Sequence, residues 1–154
     1  MIDVMIKLLP GGKMPAYMSA GAAGLDCYAR VGGKIHVPEK RGAFLDEVKV
    51  FRAKVPLGFA LSLPDGYVAY VDPRSGLGTN HGIVGGIGAR VVDADYRGEV
   101  SALIFNLGDK DFEWQAGDRI CQLVISPVAR AVLHQVDELT VTARGEGGFG
   151  STGR

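Results

Sequence analysis

Residues 55–63 read VPLGFALSL, with Val55, Leu57, Phe59, Leu61 and Leu63 at every second position. Side chains of an extended chain alternate between the two faces of a sheet, so this run buries one face and reads as strand. The same period opens the chain, where Ile2, Val4, Ile6 and Leu8 alternate with Asp3, Met5 and Lys7. Further strands are expected at 25–30, 34–38, 46–50, 66–72, 90–94, 99–106, 119–126 and 131–136. Turn chemistry separates them: PGG at 10–12, PDG at 64–66, LGDKD at 107–111 and AGD at 116–118. No window of a dozen residues carries a 3.6-residue period. Many short strands in a chain with 23 glycines and 7 prolines imply an all-β, jelly-roll-like barrel or sandwich.

The 154 residues suit one domain with its own core, expected over 1–143. The remainder, 144–154, is a Gly-rich C-terminal arm whose one large apolar residue is Phe149, too little to pack a core. It reads as a disordered terminus or as a flexible segment that closes over an anion. The charged stretch 39–54, with Lys40, Arg41, Asp46, Glu47, Lys49 and Arg52, reads as a solvated edge strand and loop.

Composition excludes several classes of function. Lys and Arg balance Asp and Glu at 17 each, so the chain lacks the basic field that draws nucleic acid. With aromatics at 8% it also lacks the stacking platforms of a single-strand-binding barrel. No apolar run approaches the length of a membrane span, and the start MIDVMIKLLP lacks the pattern of a secretory signal, so no membrane partner and a cytoplasmic location are expected. Cys27 and Cys121 form no CxxC pair and have no histidine at metal spacing, and they read as core packing residues.

Three clusters could do chemistry. In DPRSGLG, 72–78, the glycines allow close backbone approach, so Arg74, Ser75 and Gly76 could form an anion nest; the same run also reads as a strand-end turn. In VVDADYRGE, 91–99, an extended backbone puts Asp93 and Asp95 on one face, where one could act as general base, although alternating acids are also common on solvated strands. In AGDRICQLV, 116–124, Asp118 and Arg119 sit in a turn and Gln122 is the lone amide of an apolar strand. GEGGFGST in the arm has Walker-like spacing but no lysine and no strand-loop-helix context, so a P-loop is rejected.

Taken in order, AGLDCYA at 23–29, PRSGLG at 73–78, VVDADYRGE at 91–99, GDRICQLV at 117–124 and RGEGGFGSTG at 144–153 resemble the five motifs of the homotrimeric deoxyuridine triphosphate pyrophosphatase (dUTPase) family, over nearly the whole chain. That resemblance implies hydrolysis of dUTP to dUMP and pyrophosphate, which limits uracil incorporation into DNA and supplies dUMP for dTMP synthesis. It implies a homotrimer with active sites shared between subunits. Asp93 would activate the water that attacks the α-phosphorus, and Tyr96 would fill the space a 2′-hydroxyl needs. Arg74, Ser75, Gly76 and Gln122 would hold the α- and β-phosphates. Arg144, Ser151 and Thr152 would close on the γ-phosphate, Phe149 would stack over uracil, and Gly150 would also bind substrate. Mg²⁺ would be held mainly by the phosphates and waters, with Asp26 supporting the water network. Uracil would be read by the backbone of the hairpin His81–Val92, which includes Ile87 and Val91.

The chain departs from that family at Ile87, where many relatives have a polar residue, and at Arg90, where a small one is usual. Cys27, Leu57 and Gly78 are milder departures that look like packing variation. The competing readings are a dCTP deaminase on the same fold and a non-catalytic nucleotide-binding protein. The Gly-rich arm and the Asp93–Tyr96 constellation favour the pyrophosphatase over the deaminase. A carboxylate aimed at a triphosphate serves catalysis and not pure binding.

Overall fold

The computed structural model describes residues 2–37, 51–86 and 90–148. Within them the chain forms β1 (Met5–Leu8), β2 (Leu25–Tyr28), β3 (Gly33–Ile35), β4 (Arg52–Pro56), β5 (Phe59–Ser62), β6 (Tyr67–Pro73), a short helix α1 (Ser75–His81), β7 (Ile83–Gly85), β8 (Val91–Val92), β9 (Ser101–Asn106), β10 (Phe112–Trp114) and β11 (Arg119–Pro127). Every ladder is antiparallel. The strands make four sheets, ordered β1-β5, β10-β3, β4-β9-β7 and β2-β11-β6-β8. They wrap one apolar cluster, the all-β jelly-roll-like arrangement expected from the period-two pattern. Phe59, Leu57, Ile83, Ile104 and Ile120 are its largest fully buried members, each contributing roughly 2 kcal/mol by removal from water. No described helix is long and apolar enough to cross a membrane.

The stretch 55–63 keeps its alternation but not its continuity. Val55, Leu57, Phe59, Leu61 and Leu63 are all buried, yet the strand breaks into β4 and β5 at Gly58, where φ is +75°. The break lets two backbones touch. A methyl group added at Gly58 would lie 2.4 Å from the Gly12 Cα, so only glycine fits. Glu99 secures the kink: its Oε1 accepts from the Gly58 amide at 2.9 Å, and its Oε2 accepts from Arg30 Nη2 at 3.0 Å.

Four elements differ from the sequence expectation. The run 72–78, read as a nest or turn, instead leads into α1 from Ser75, and neither Gly76 nor Gly78 has the positive φ a nest requires. Gly82 ends the helix at φ 66°, its amide donating to Gly78 O at 3.0 Å. β7 and β10 are three-residue strands, too short to declare a period. The strand expected at 131–136 does not form. Val132, Leu133 and Val136 are exposed, and a strand without a partner has no ladder to satisfy its backbone. The expected strand at 46–50 lies outside the described residues.

Candidate functional site

Alternation along the four-stranded sheet sorts the site from the core. Cys27, Ala69, Val71, Cys121 and Leu123 point inward and are buried. The register sets Asp26 opposite Gln122 and Gln122 opposite Asp72, a polar row crossing three strands on the other face. Gly24 makes room for the amide at its centre, because a Cβ there would lie 2.9 Å from Gln122 Oε1.

Two arginines converge on this row. Arg119 Nη1 donates to Asp26 Oδ2 at 3.1 Å, and Arg74 Nε lies 3.6 Å from the same oxygen. Arg74 Nη1 also donates to the Arg119 carbonyl at 3.4 Å. Arg74 is the residue before α1, with extended backbone at φ −79° and ψ 132°. No side chain caps α1 and no acid lies in its first turn. Where PRSGLG was expected to form a glycine nest, the structure has a helix start. Arg74 and Arg119 thus meet at Asp26 beside Gln122, and Ser75 and Gly76 follow Arg74 into α1.

Arg119 was legible only as a turn residue. A register irregularity between Arg119 and Cys121 turns its side chain toward Asp26, and such a bulge leaves no trace in a period-two pattern. Behind the polar row, Cys27 stands opposite Cys121. The Cys27 thiol and burial together push the Cys121 thiol well above its usual range, as befits inert packing.

The second cluster gathers at the other end of β6. Val91, Asp93, Ala94 and Asp95 line a cleft of about 650 Å³ with Asp65, Tyr67, Tyr70 and Arg130. Extended backbone stops at Val92, and a turn closed by the Tyr96 amide on Asp93 O at 3.2 Å follows. Asp93 and Asp95 thus share the cleft through a turn and not through one strand face. The Tyr96 ring folds back over Gly98, where a Cβ would lie 2.3 Å from the phenol oxygen, and its hydroxyl donates to Glu99 O at 3.2 Å.

The two clusters do not meet within one chain. β6 pairs Ala69 with Val92, so Asp93 comes level with Val68, and Arg74 follows the far end of the strand. Positions 68 to 74 span roughly 20 Å at the rise of an extended chain. Arg144 lies on the strand-free segment after β11, its Nε donating to Gly147 O at 2.8 Å. Ile87, Phe149, Gly150, Ser151 and Thr152 lie outside the described residues.

A metal cage is absent from the described residues, since no three His, Cys, Asp or Glu side chains converge. The Asp26 carboxylate is already shared by two guanidinium groups.

A family model described as dUTPase matches residues 11–153. The chain is 49% identical over 153 residues to the deoxyuridine 5'-triphosphate nucleotidohydrolase of Syntrophotalea carbinolica, covering 99% of this chain and 97% of that protein. Among solved structures it is similar to the dUTPase of Staphylococcus bacteriophage 80alpha with dUPNHPP, with a TM-score of 0.85 and 26% identity over 99% of both chains. It is also similar in fold to a mutant dUTPase from phage phi11 of S. aureus, whose structure concerns the coordination of a structural Mg(II) ion. There the TM-score is 0.75 and the identity 22%, covering 91% of this chain and 100% of that one.

Proposed function

This chain belongs to the dUTPase family, and from that premise we propose that it hydrolyses dUTP to dUMP and pyrophosphate with Asp93 as the general base. A water held by Asp93 attacks the α-phosphorus and gives its proton to the carboxylate. The bond from the α-phosphorus to the bridging oxygen breaks, and pyrophosphate leaves with the electron pair. Arg74, Gln122 and the amides at Ser75 and Gly76 hold the α- and β-phosphates and balance charge on the leaving group. Asp26 acts through Arg74 and Arg119, fixing where their guanidinium groups point. Mg²⁺ would be held mainly by the substrate phosphates and waters, with Asp26 supporting those waters, and would supply charge neutralisation there.

On the nucleoside side, Val91 and the backbone of the segment 81–92, including Ile87, meet uracil. Tyr96 bars a 2′-hydroxyl. Its ring is held by Gly98 and Glu99, so the exclusion is steric and rigid. The arm 144–154 closes the site, Arg144, Ser151 and Thr152 on the γ-phosphate and Phe149 over the base, with Gly150 also binding substrate. The reaction takes place in the cytoplasm, consistent with the free thiols of Cys27 and Cys121.

The observation that carries the assembly is the separation of Asp93 from Arg74 along β6. A base and a phosphate clamp roughly 20 Å apart cannot act on one α-phosphate, so the working site combines the clamp of one subunit with the Asp93 of another. Exposed Leu133, Leu139 and Val141 on the strand-free segment supply apolar surface that a neighbouring subunit would cover. The homotrimer is the assembly in which each site also receives an arm.

The test is release of pyrophosphate from dUTP, dTTP, dCTP and UTP measured side by side, with light scattering to give the mass in solution. Strong preference for dUTP by a particle of three chains is expected. Ammonia from dCTP, or a monomer with full activity, would overturn the reading. Asp93→Asn should bind a dUTP analogue as the parent does and lose turnover by about 10² to 10⁴-fold.

A further inference from the structure

The strand that delivers Asp93 is slight. β8 has two residues, Val91 and Val92, paired with Tyr70 and Ala69 at the edge of its sheet. Two pairs give little backbone bonding to fix the direction in which the next residue leaves. Arg90 supplies what the ladder lacks. Its carbonyl accepts from the Val71 amide at 2.9 Å. Its side chain grips the same strand, with Nε 2.7 Å from Asp72 Oδ1 and Nη2 donating to Oδ2 at 3.0 Å. The guanidinium carbon also lies 4.8 Å from the centre of the Tyr70 ring. Arg90 therefore holds β6 over three consecutive residues, Tyr70 to Asp72, by stacking, a backbone bond and a two-pronged ion pair.

We infer that Arg90 is a positioning residue for Asp93, locking the two-residue strand β8 onto β6 through its forked pair with Asp72 and its stacking on Tyr70. The inference rests on the reading of Asp93 as the base. Asp72 stands opposite Gln122, so the clamp fastens β8 to the polar row at which Arg74 and Arg119 meet. The fork matters more than the charge. A guanidinium meets both carboxylate oxygens in one plane and lies flat on a ring, whereas an ammonium does neither. The pair is half exposed on the Arg90 side, and exposed ion pairs add little to global stability. Its effect belongs in geometry, where a displacement of about 1 Å at a reacting group can cost on the order of 10²-fold in rate.

The experiment is steady-state hydrolysis of dUTP by the parent, Arg90→Ala, Asp72→Asn and the double variant, below the melting temperature of each. Both single variants should melt near the parent and show kcat lower by about tenfold or more with KM changed far less. The double variant should be no slower than the worse single one, because both remove the same clamp. Arg90→Lys, which keeps the charge and the stem, should recover little of the loss. It also serves in place of Arg90→Ala if that variant fails to fold. Parental kcat in the single variants, full rescue by lysine, or losses that multiply in the double variant would each overturn the inference. A parent that does not hydrolyse dUTP at all would instead sink the functional reading beneath it.

Discussion

Asp26 Oδ2 is the common partner of two arginines from different elements, accepting from Arg119 Nη1 at 3.1 Å with Arg74 Nε 3.6 Å away. One carboxylate thus aims two cations at a place where phosphates are proposed to lie. Replacing it pulls in two directions, since a lost negative charge favours an anionic ligand while freed guanidinium groups lose their aim. Oriented, charge-assisted contacts are the stronger effect at a two-pronged site. Asp26→Asn should therefore lower kcat/KM for dUTP about tenfold, measured at steady state. A rise would mean that the carboxylate merely opposes the substrate.

Gly76 offers a test in which stability and function part company. It lies in the first turn of α1, and a Cβ there would meet nothing within 4 Å. In a helix, alanine is favoured over glycine by about 0.5–1 kcal/mol. Gly76→Ala should thus melt at or above the parental temperature in a thermal scan. Its KM for dUTP should nevertheless rise, because the methyl group occupies space a phosphate needs to reach the amides. A more stable variant with unchanged KM would remove Gly76 from the site.

Sugar selectivity should reside in the ring of Tyr96 and not in its hydroxyl. Tyr96→Phe gives up only the bond to Glu99 O at 3.2 Å and should keep the preference for dUTP over UTP within about twofold. Tyr96→Ala opens the volume and should narrow the ratio of the two kcat/KM values by about tenfold or more. An unchanged ratio in the alanine variant would show that the 2′-hydroxyl is rejected elsewhere.

Acid sensitivity should trace in part to Asp111. The Val37 amide, followed by Lys34 and His36, lowers its pKa from 3.8 to about 2. A carboxyl held below its unfolded value stabilises the fold above that value, and the contribution disappears as pH falls toward about 2. Asp111→Asn should be less stable than the parent in urea at neutral pH, and the two curves should converge between pH 4 and 2. A constant gap across that range would mean that Asp111 acts through shape alone.

The arm can be tested by mixing. A chain truncated after Ala143 should fold and assemble but be nearly inactive, and Asp93→Asn chains with intact arms should be inactive as well. Exchange of subunits between the two should restore activity, because an intact arm can then close over an intact Asp93. No recovery in demonstrably mixed particles would mean that each arm serves its own chain.

Much of the fold is legible in the sequence. Period-two alternation marked the residues that became the core, Val55 through Leu63 among them, because burial of one sheet face is written in the sequence itself. The grouping of Arg74, Ser75, Gly76 and Gln122 was legible through ordered motifs. What escaped depended on geometry that no local pattern encodes. The bulge that turns Arg119 toward Asp26 and the kink at Gly58 both break a period without announcing where. Helix α1 reads SGLGTNH, whose two glycines and single apolar residue argue against helix, and tertiary packing against β7 outweighs that propensity. The segment 131–136 carries the apolar spacing of a strand, but pattern supplies only one side of a ladder.

On the proposed reading β6 is a spacer, holding its Arg74 and Asp93 ends too far apart to cooperate within one chain. A lone chain, as it leaves the ribosome, would then be an incomplete catalyst. Nucleotide hydrolysis would begin only when chains have found one another, so output at low expression should climb more steeply than protein level. The same spacing separates damage: a lesion at the Arg74 end and a lesion at the Asp93 end, carried on different copies of the gene, can still yield intact sites in one particle.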